Sequence, residues 1–270
     1  MLYIVATPIG NLEDLSRRAA ATLGGAALIA AEDTRHTRRL LDHLGLRREL
    51  ISLHEHNEEA QIATIRARLA EGDDVALVTD AGTPLISDPG LKLVQAAIAA
   101  GIGVVGIPGP SAVIAALAVA GLATDRFVFE GFLPRKREAR RARLAALAVE
   151  PRTLVLFESV HRIGATLEDL CALFGGDRPA TIARELTKLN EQIARGPLAD
   201  LAAGIGKAIP ERGEFVLVVA GNPVARQAGD EEILRIYRLL AAELAPDRAV
   251  QLTAEICGRR RNEVYLLTRT

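Results

Sequence analysis

The sequence predicts an α/β protein with a mostly parallel N-terminal sheet, a second domain with a mixed sheet, and a helical C-terminal segment. Three observations support this class. Short apolar segments alternate with helical segments five times in the first part of the chain, which is the pattern of a parallel sheet covered by helices. These segments are apolar at successive positions, so both strand faces are expected to be buried. Aromatic residues make up only 3% of the chain and Trp is absent, so the core is expected to be aliphatic.

Residues 1–121 are predicted to form the first domain. Its strands are expected at Leu2–Ala6, Leu28–Ala31, Leu50–Leu53, Val75–Thr79 and Val104–Ile107. Its helices are expected at Ser16–Leu23, Thr34–Leu44, Glu58–Ala70, Leu91–Ala100 and Ser111–Ala120. Asp14 is predicted to cap the first helix and Asn57 the third, because short polar side chains accept hydrogen bonds from free amides at helix starts.

Residues 126–221 are predicted to form the second domain. Strands are expected at Phe127–Leu133, Thr153–Phe157, Ala180–Glu185, Gln192–Arg195 and Phe215–Ala220, with helices at Arg137–Leu147 and Ile163–Phe174. Short connections join the last three strands, which favours mixed or antiparallel pairing. The polar stretch 221–230 is typical of a linker, and residues 230–270 are expected to be a helical extension.

Charge and cysteine content exclude several classes of protein. The formal net charge is -1 and there are two cysteines, Cys171 and Cys257. Bulk charge therefore does not drive binding to nucleic acid or membrane, and no disulfide framework or cysteine metal site is indicated. The N-terminus lacks a signal peptide pattern and no apolar run reaches the length of a membrane helix. We expect a soluble, cytoplasmic protein that does not bind membranes.

Several short motifs resemble known functional motifs but do not indicate those functions. Gly101, Gly103 and Gly106 spell G-x-G-x-x-G, but they end a helix and enter a strand, the reverse of a dinucleotide site, and Gly101 is better interpreted as a helix C-cap. The pair His54 and His56 resembles a metal cluster, but a polar strand-to-helix loop is the preferred interpretation, and no metal is predicted. Walker A and nucleophile-elbow motifs are absent from the sequence.

Three loops at the carboxyl ends of predicted strands are rich in Gly, Pro and Asp. They are residues 7–11, 80–90 and 108–112. Ligands bind at this edge of an open α/β sheet, and such loops expose backbone amides. Each loop alone is compatible with ordinary turn chemistry, whereas three together favour a binding crevice.

Two basic clusters are candidates for RNA contact. The first contains Arg135, Lys136, Arg137, Arg140 and Arg141, and the second, in the C-terminal segment, contains Arg259, Arg260 and Arg261. Clusters of this density suit phosphate contacts. The alternative is the solvated face of a helix.

Ordered motifs along the whole chain resemble the ribosomal RNA methyltransferases of the tetrapyrrole methylase-like superfamily. The matching segments are LYIVATPIGNLEDL from Leu2, AEDTR from Ala31, SLHEHNE from Ser52, VTDAGTPLISDPG from Val78, PGPSA from Pro108, EGFLPR from Glu130, FESVHR from Phe157 and ARELTK from Ala183. The resemblance implies a two-domain class III methyltransferase fold and a homodimer. It also implies S-adenosyl-L-methionine as cofactor, and as substrate a cytidine ribose 2′-hydroxyl at the decoding centre of small-subunit (16S) ribosomal RNA or the 30S subunit.

The resemblance also implies positions for the cofactor contacts. Carried over position by position, these fall on Pro8, Asp80, Ala81, Gly82, Thr83, Ile86, Ser111, Ala112 and Phe157. Tetrapyrrole methylases lack the basic cluster near residue 135, which favours the RNA branch. A small-molecule methyltransferase and a non-catalytic ribosome-binding protein stay open as alternatives.

Acidic and basic side chains at the predicted strand ends are candidates for catalysis. A ribose hydroxyl is protonated at neutral pH, so transfer to it benefits from a base or a nearby cation. Our first choice is Glu32, Asp33 and Arg35, in which one acid accepts or orients the hydroxyl proton and the arginine holds a phosphate. Others at strand ends are Glu158, His161, Arg162, Arg184, Glu185 and Lys188.

Overall fold

The structure is a computed structural model that describes residues 1–54, 57–222 and 230–269. Glu55 and His56 of the histidine motif, and residues 223–229 of the predicted linker, lie outside the described residues. The chain divides into one unit of Met1–Ala148 and Arg152–Ala220 and another of Val149–Pro151 and Gly221–Thr270. None of the described helices has the length and apolarity needed to cross a membrane.

The first sheet has five parallel strands in the order β3-β2-β4-β1-β5. They are β1 (Leu2–Val5), β2 (Leu28–Ala31), β3 (Glu49–Ser52), β4 (Val75–Val78) and β5 (Val104–Ile107). The helices that connect and follow them are α1 (Arg17–Gly25), α2 (Thr34–His43), α3 (Glu58–Ala70), α4 (Leu91–Ala99) and α5 (Ala112–Ala120). Every residue of β2 and β4 is buried, as a sheet covered on both faces requires. The predicted parallel sheet is confirmed.

The predicted helix caps are wrong in detail. The N-cap of α1 is Ser16, whose Oγ accepts a hydrogen bond from Ala19 N at 3.0 Å. Asp14 instead ends a short 3-10 turn, Leu12–Asp14. Asn57 is the N-cap residue of α3, as predicted, but its side chain makes no cap hydrogen bond, because its Oδ1 accepts from His54 N at 2.8 Å. Polar residues crowd both helix starts, and the local backbone decides which side chain reaches the free amides.

The second sheet has five strands in the order β6-β7-β10-β8-β9. They are β6 (Phe127–Phe132), β7 (Thr153–Ser159), β8 (Pro179–Arg184), β9 (Gln192–Pro197) and β10 (Glu214–Val219). Only β6 and β7 pair in parallel, and the other three pairs are antiparallel. The helices of this region are α6 (Arg137–Leu147), α7 (Ile163–Phe174) and α8 (Leu198–Gly204). The mixed sheet is as predicted, whereas α8 was not predicted.

Helix α5 connects the two sheets of the first unit. Along the chain it follows β5 of the first sheet. Its buried side chains Val113, Ala116 and Leu117 pack in one cluster with Val155 and Val216 of the second sheet. The two sheets are therefore joined through one helix.

The C-terminal unit contains three helices, α9 (Asp230–Ala241), α10 (Pro246–Cys257) and α11 (Arg261–Leu267). Ile233, Val250 and Val264, one from each helix, form its small core. Gly258 ends α10 in the left-handed conformation with φ of 61°, which lets three residues turn the chain into α11. This is a helix-turn-helix arrangement.

Candidate active site

The three glycine- and proline-rich loops meet because their strands are neighbours. β1 lies between β4 and β5, so residues 7–11, 80–90 and 108–112 leave the sheet side by side. Thr7 N donates to Gly82 O at 2.9 Å and Gly82 N donates to Thr7 O at 3.0 Å. Thr83 Oγ1 donates to Pro110 O at 3.2 Å. The predicted crevice at this sheet edge is thus a hydrogen-bonded assembly of three loops.

The loop 80–90 holds its shape with an unusual backbone. Leu85 and Ser87 have φ of 77° and 69°, and Gly90 has φ of 121°. Non-glycine residues rarely adopt positive φ, and such strain concentrates at ligand-binding segments. A Cβ on Gly90 would lie 2.6 Å from Leu77 Cδ2, so only glycine fits there. The loop therefore has a backbone conformation that few other sequences could adopt.

A cavity of about 490 Å³ opens between these loops and the second sheet. Of the residues predicted to contact a cofactor, those that line it are Asp80, Ala81, Gly82, Thr83, Ile86, Ser111, Ala112 and Phe157. Pro8 is not among the lining residues. The adjacent Ile9, whose side chain packs with Val113 and Val216, lines the cavity in its place.

The second sheet supplies a wall that the sequence did not reveal in full. Phe132, Ser159, Val160 and residues 213–216 line the cavity beside Phe157. The Phe132 and Phe157 rings meet edge to face with centroids 5.6 Å apart. Gly213 has φ of 94°, and a Cβ there would collide with Glu185. These residues reach the cavity through strand pairing over long sequence distances, which no local motif signals.

Acidic side chains are among the residues that line the cavity. Glu32 follows β2, and its Oε2 accepts from Thr79 Oγ1 at 2.7 Å and from Asp80 N at 3.4 Å. Asp88 lies in the same lining. Burial, then repulsion by the Glu32 charge, raises the pKa of Asp88 to about 7. A carboxyl with such a pKa can exchange a proton near neutral pH.

Asp33 and Arg35, two of our three predicted catalytic residues, do not line the cavity. Asp33 is the N-cap of α2, and its Oδ1 accepts from Arg35 N at 2.8 Å. Arg35 Nη2 lies 2.6 Å from Asp33 Oδ2. The hydrogen bonds from Arg35 hold the pKa of Asp33 well below its usual range. Asp33 is therefore a poor proton acceptor, and of the three predicted residues only Glu32 borders the cavity.

Asp33, His36 and Asp80 bring their ligand atoms within 4.8 Å of one another. His36 Nδ1 lies 3.1 Å from Asp80 Oδ2, and Asp80 Oδ1 accepts from Asp33 N at 3.1 Å. With Arg35 neutralising Asp33, the polar atoms of this group already have partners. We assign it no ion.

Other acids and bases predicted at strand ends hold the loops of the second sheet in place. Glu158 is buried and accepts from Arg162 Nε at 2.8 Å and Thr166 Oγ1 at 2.6 Å. Lys188 Nζ lies 3.0 Å from Glu185 Oε1 and 2.9 Å from Glu214 Oε2. Glu158 and Glu214 also line the cavity, so these ion pairs shape its wall. The side chains of His161 and Arg184 are absent from the lining of this cavity.

The predicted RNA cluster divides into buried and exposed arginines. Arg140 is 5% exposed, and its Nε and Nη2 donate to Asp169 Oδ2 at 2.9 and 2.8 Å. Its burial does not fit the prediction that it contacts RNA. Arg141 Nη1 lies 2.8 Å from Asp169 Oδ1 and is partly exposed. Arg135, Lys136 and Arg137 are exposed.

The C-terminal arginines also differ from one another. Arg259 is only 23% exposed, and its Nη1 lies 3.5 Å from Glu263 Oε2. Arg261 Nη2 lies 3.3 Å from Asp247 Oδ1. Arg260 is exposed at the N-cap of α11. Two of the three predicted RNA contacts in this unit thus take part in ion pairs within it.

Comparison with known proteins agrees with this geometry. The profile described as "Tetrapyrrole (Corrin/Porphyrin) Methylases" matches residues 1–202, and one described as "RsmI C-terminal HTH domain" matches residues 227–268. A uroporphyrin-III-C-methyltransferase from Thermus thermophilus has a similar structure, with a TM-score of 0.58, 26% identity, and coverage of 83% of this chain and 94% of that one. A cobalt precorrin-4 methyltransferase shares the fold with a TM-score of 0.61 at 19% identity, covering 81% of this chain and 94% of its own.

The fold and the cavity define an S-adenosyl-L-methionine methyltransferase of the tetrapyrrole methylase type. Two relatives are named ribosomal RNA small subunit methyltransferase I. That of Xylella fastidiosa is 54% identical over 98% of this chain and 97% of its own length, and that of Pseudomonas aeruginosa is 51% identical over 98% and 95%. The chain belongs to the ribosomal RNA small subunit methyltransferase I family.

The cavity fits the cofactor of this family. Its volume lies within the roughly 300–1,000 Å³ typical of small-molecule sites. Its walls are mostly apolar, with Ile9, Val113 and Phe157 beside polar groups such as Glu32 and Asp80. Gly82, with φ of 86°, lets the backbone of the loop approach a ligand without a side chain between them. A nucleoside with a charged amino-acid tail requires this mixture of surfaces.

Proposed function

We propose that this chain methylates the ribose 2′-hydroxyl of a cytidine in the decoding centre of small-subunit ribosomal RNA. The observation that carries the proposal is the cavity, which unites the loop 80–90, an aromatic wall and acidic side chains in a chain about half identical to relatives named for small-subunit RNA methylation. The position in the RNA and the acceptor atom are those implied by the resemblance of the sequence motifs to the family.

The chain's first contribution to this reaction is alignment. S-adenosyl-L-methionine, when bound, supplies a methyl group on a positively charged sulfur. The acceptor oxygen must lie in line behind that carbon, and alignment of this kind supplies about 7–11 kcal/mol of a barrier. The strained loop 80–90 and the interlocked loops beside it provide a fixed frame for this purpose.

The chain's second contribution is management of the hydroxyl proton. A positioned base accelerates such a transfer by roughly 10²- to 10⁴-fold. Glu32 is the predicted catalytic residue that borders the cavity, and we assign it the orientation of the acceptor hydroxyl. Asp33 and Arg35 lie next to it at the start of α2, and the exposed Arg35 is assigned contact with an RNA phosphate.

Contact with RNA is assigned to the exposed basic residues. Arg135, Lys136 and Arg137 precede or begin α6 and follow the cavity residue Phe132 closely in sequence. Arg260 is the exposed basic residue assigned in the C-terminal unit. Phosphate contacts of this kind position RNA, whereas contacts with the bases specify it.

A homodimer in the cytoplasm is part of the proposal. Ile114 and Val119 on α5 are 56% and 37% exposed, and exposed apolar side chains suit a contact with a second copy. Both cysteines are free, which suits a reducing compartment. Sedimentation of the purified chain at several concentrations tests the dimer.

The test of function is transfer of labelled methyl groups to small ribosomal subunits from a strain that lacks this activity. Digestion and mass spectrometry then identify the modified nucleoside, and 2′-O-methylcytidine is the expected product. Naked small-subunit RNA is the second substrate, because it separates RNA recognition from particle recognition. Cofactor binding without methylation of either RNA would favour a small-molecule methyltransferase or a non-catalytic ribosome-binding protein.

A further inference from the structure

Asp88 lines the cavity but is not among the site residues predicted from the sequence. It lies in the strained loop, between Ser87 with φ of 69° and the Pro89-Gly90 turn with φ of 121° at Gly90. It is half-buried and lines the cavity together with Glu32 and Asp80. The backbone of this loop brings its carboxyl group to the cavity.

Acidic groups surround the Asp88 carboxyl. Glu32, after β2, and Asp80, after β4, both repel its negative charge, while a hydrogen bond with the Thr79 hydroxyl favours that charge. Thr79 Oγ1 also donates to Glu32 Oε2 at 2.7 Å. The Thr79 hydroxyl has one proton, so Glu32 and Asp88 compete for it as acceptors. Burial and these neighbours raise the pKa of Asp88 to about 7, where a base is most effective near neutral pH.

We infer that Asp88 is the catalytic base of this site and removes the proton from the acceptor hydroxyl. Glu32 orients that hydroxyl, and Thr79 positions the carboxyl group of Asp88. The inference rests on the proposed function, since it names the base for that reaction. The three residues come from two neighbouring strand ends and one loop of the first sheet, so their arrangement depends on the parallel order β2-β4.

The reaction balances with these groups alone. The hydroxyl oxygen forms a bond to the methyl carbon as the bond between that carbon and sulfur breaks. The bonding electron pair stays on sulfur, which becomes a neutral thioether. The hydroxyl proton passes to the ionised Asp88 carboxylate, and the products are the methyl ether, the thioether and a neutral Asp88. Solvent then removes the proton before the next cycle.

The surroundings of the neighbouring acids favour Asp88 over them as the base. Asp33 is neutralised by Arg35, and the hydrogen bonds from Arg35 hold its pKa low. Glu32 already accepts from Thr79 and from Asp80 N, so one of its oxygens is committed to the protein. The charged groups that face Asp88 are both acids, which makes its carboxylate the one that gains most from a proton.

The experiment compares pH profiles of single-turnover methyl transfer to small subunits for the wild type, Asp88→Asn and Thr79→Val. The wild-type rate is expected to fall tenfold per pH unit below about 7, because protonated Asp88 cannot accept the proton. Asp88→Asn should reduce the rate at pH 8 by roughly 100-fold or more. Its rate should also no longer show the fall below about pH 7, which we call the acidic limb of the profile. Thr79→Val should move the limb to higher pH, since the hydrogen bond that lowers the pKa of Asp88 is gone.

Two readouts separate a base from a merely structural residue. Cofactor affinity by calorimetry should stay within about twofold in Asp88→Asn. Infrared spectra of the protein without substrate should show a protonated carboxyl that titrates near pH 7 in the wild type and is missing in Asp88→Asn. Asp42→Asn, which changes an exposed acid on α2, is the matched control and should leave the profile unchanged.

The outcomes are distinct. Asp88→Asn with a wild-type limb and rate would overturn the inference and leave the proposed function standing, as would loss of the limb in Glu32→Gln but not in Asp88→Asn. A wild-type protein that methylates no RNA would overturn both. If Asp88→Asn fails to bind the cofactor, the pH profile of Thr79→Val tests the inference instead. An acidic limb at the same pH as in the wild type would contradict the role of Asp88 as the base.

Discussion

Replacement of Asp169 by Ala is expected to destabilise the protein strongly although the residue lies outside the cavity. Asp169 is 1% exposed and accepts hydrogen bonds from Arg140 and Arg141. Its removal leaves the Arg140 guanidinium buried without a countercharge, and breaking a buried pair in this way costs about 3–5 kcal/mol. At roughly 2–4 °C per kcal/mol for a protein of similar size, the unfolding midpoint should fall by roughly 6–20 °C.

Thermal unfolding followed by circular dichroism measures this shift at fixed protein concentration. The double variant Arg140→Met with Asp169→Leu removes both charges and is expected to recover most of the loss, since apolar replacements of a buried pair are often neutral. Glu59→Ala breaks the exposed pair with Lys92 and should shift the midpoint far less. A shift for Asp169→Ala no larger than for Glu59→Ala would refute the assignment of Arg140 to the interior.

The same pair predicts how stability depends on pH. Burial alone would raise the pKa of Asp169, but hydrogen bonds from Arg141 and Arg140 outweigh it and lower the pKa below its ordinary value. A group whose pKa falls on folding stabilises the protein above its ordinary pKa of about 4 and loses that contribution as the pH falls through the folded value. Urea unfolding of the wild type and Asp169→Asn should therefore differ at pH ~7, and the difference should disappear as the pH falls through the lowered pKa of Asp169. A constant difference would contradict the assigned cause.

Two further predictions concern the loop and the RNA contact. Gly90→Ala should lower the unfolding midpoint and the cofactor affinity, because φ of 121° costs roughly 1–3 kcal/mol for a residue with a side chain and the new Cβ meets a core leucine. Gly101→Ala is the control, since Gly101 has φ of 69° but open space around it, and it should lower the midpoint less. Equal losses in the two variants would show that crowding at Gly90 is unimportant. Removing charge at Arg135 and Lys136 should weaken RNA binding and reduce its salt slope by about one for each residue, with cofactor affinity unchanged. An unchanged slope would indicate that these residues form a solvated surface and do not contact RNA.

The sequence predicted the elements and one side of the cavity because these depend on local patterns. Apolar runs mark β1 to β5 within a few residues, and parallel strands force the loops that follow them to one edge. The helix caps were harder, since Asp14 and Ser16 are equally suitable by residue type and only the 3-10 turn selects Ser16.

The roles of the acidic residues of the site were even harder to predict from the sequence. Asp33 and Glu32 are adjacent in sequence, yet one binds Arg35 outside the cavity and the other borders it. Asp88 looked like a turn residue, because its importance comes from burial and from Glu32, 56 positions away by residue number. Residue type predicts that an acid is present, whereas its proton affinity depends on neighbours that only the folded chain assembles.

Helix α5 has a thermodynamic consequence for the whole first unit. Residues 112 and 113 at its N-terminus border the cavity, and its following turns provide the apolar contacts with the second sheet. A molecule seated in the cavity therefore strengthens the cohesion between the two sheets, and occupancy is linked to folding. At one hundred times its dissociation constant, a ligand of the native state adds about 2.7 kcal/mol to the free energy of unfolding, so the methyl donor is also a structural brace.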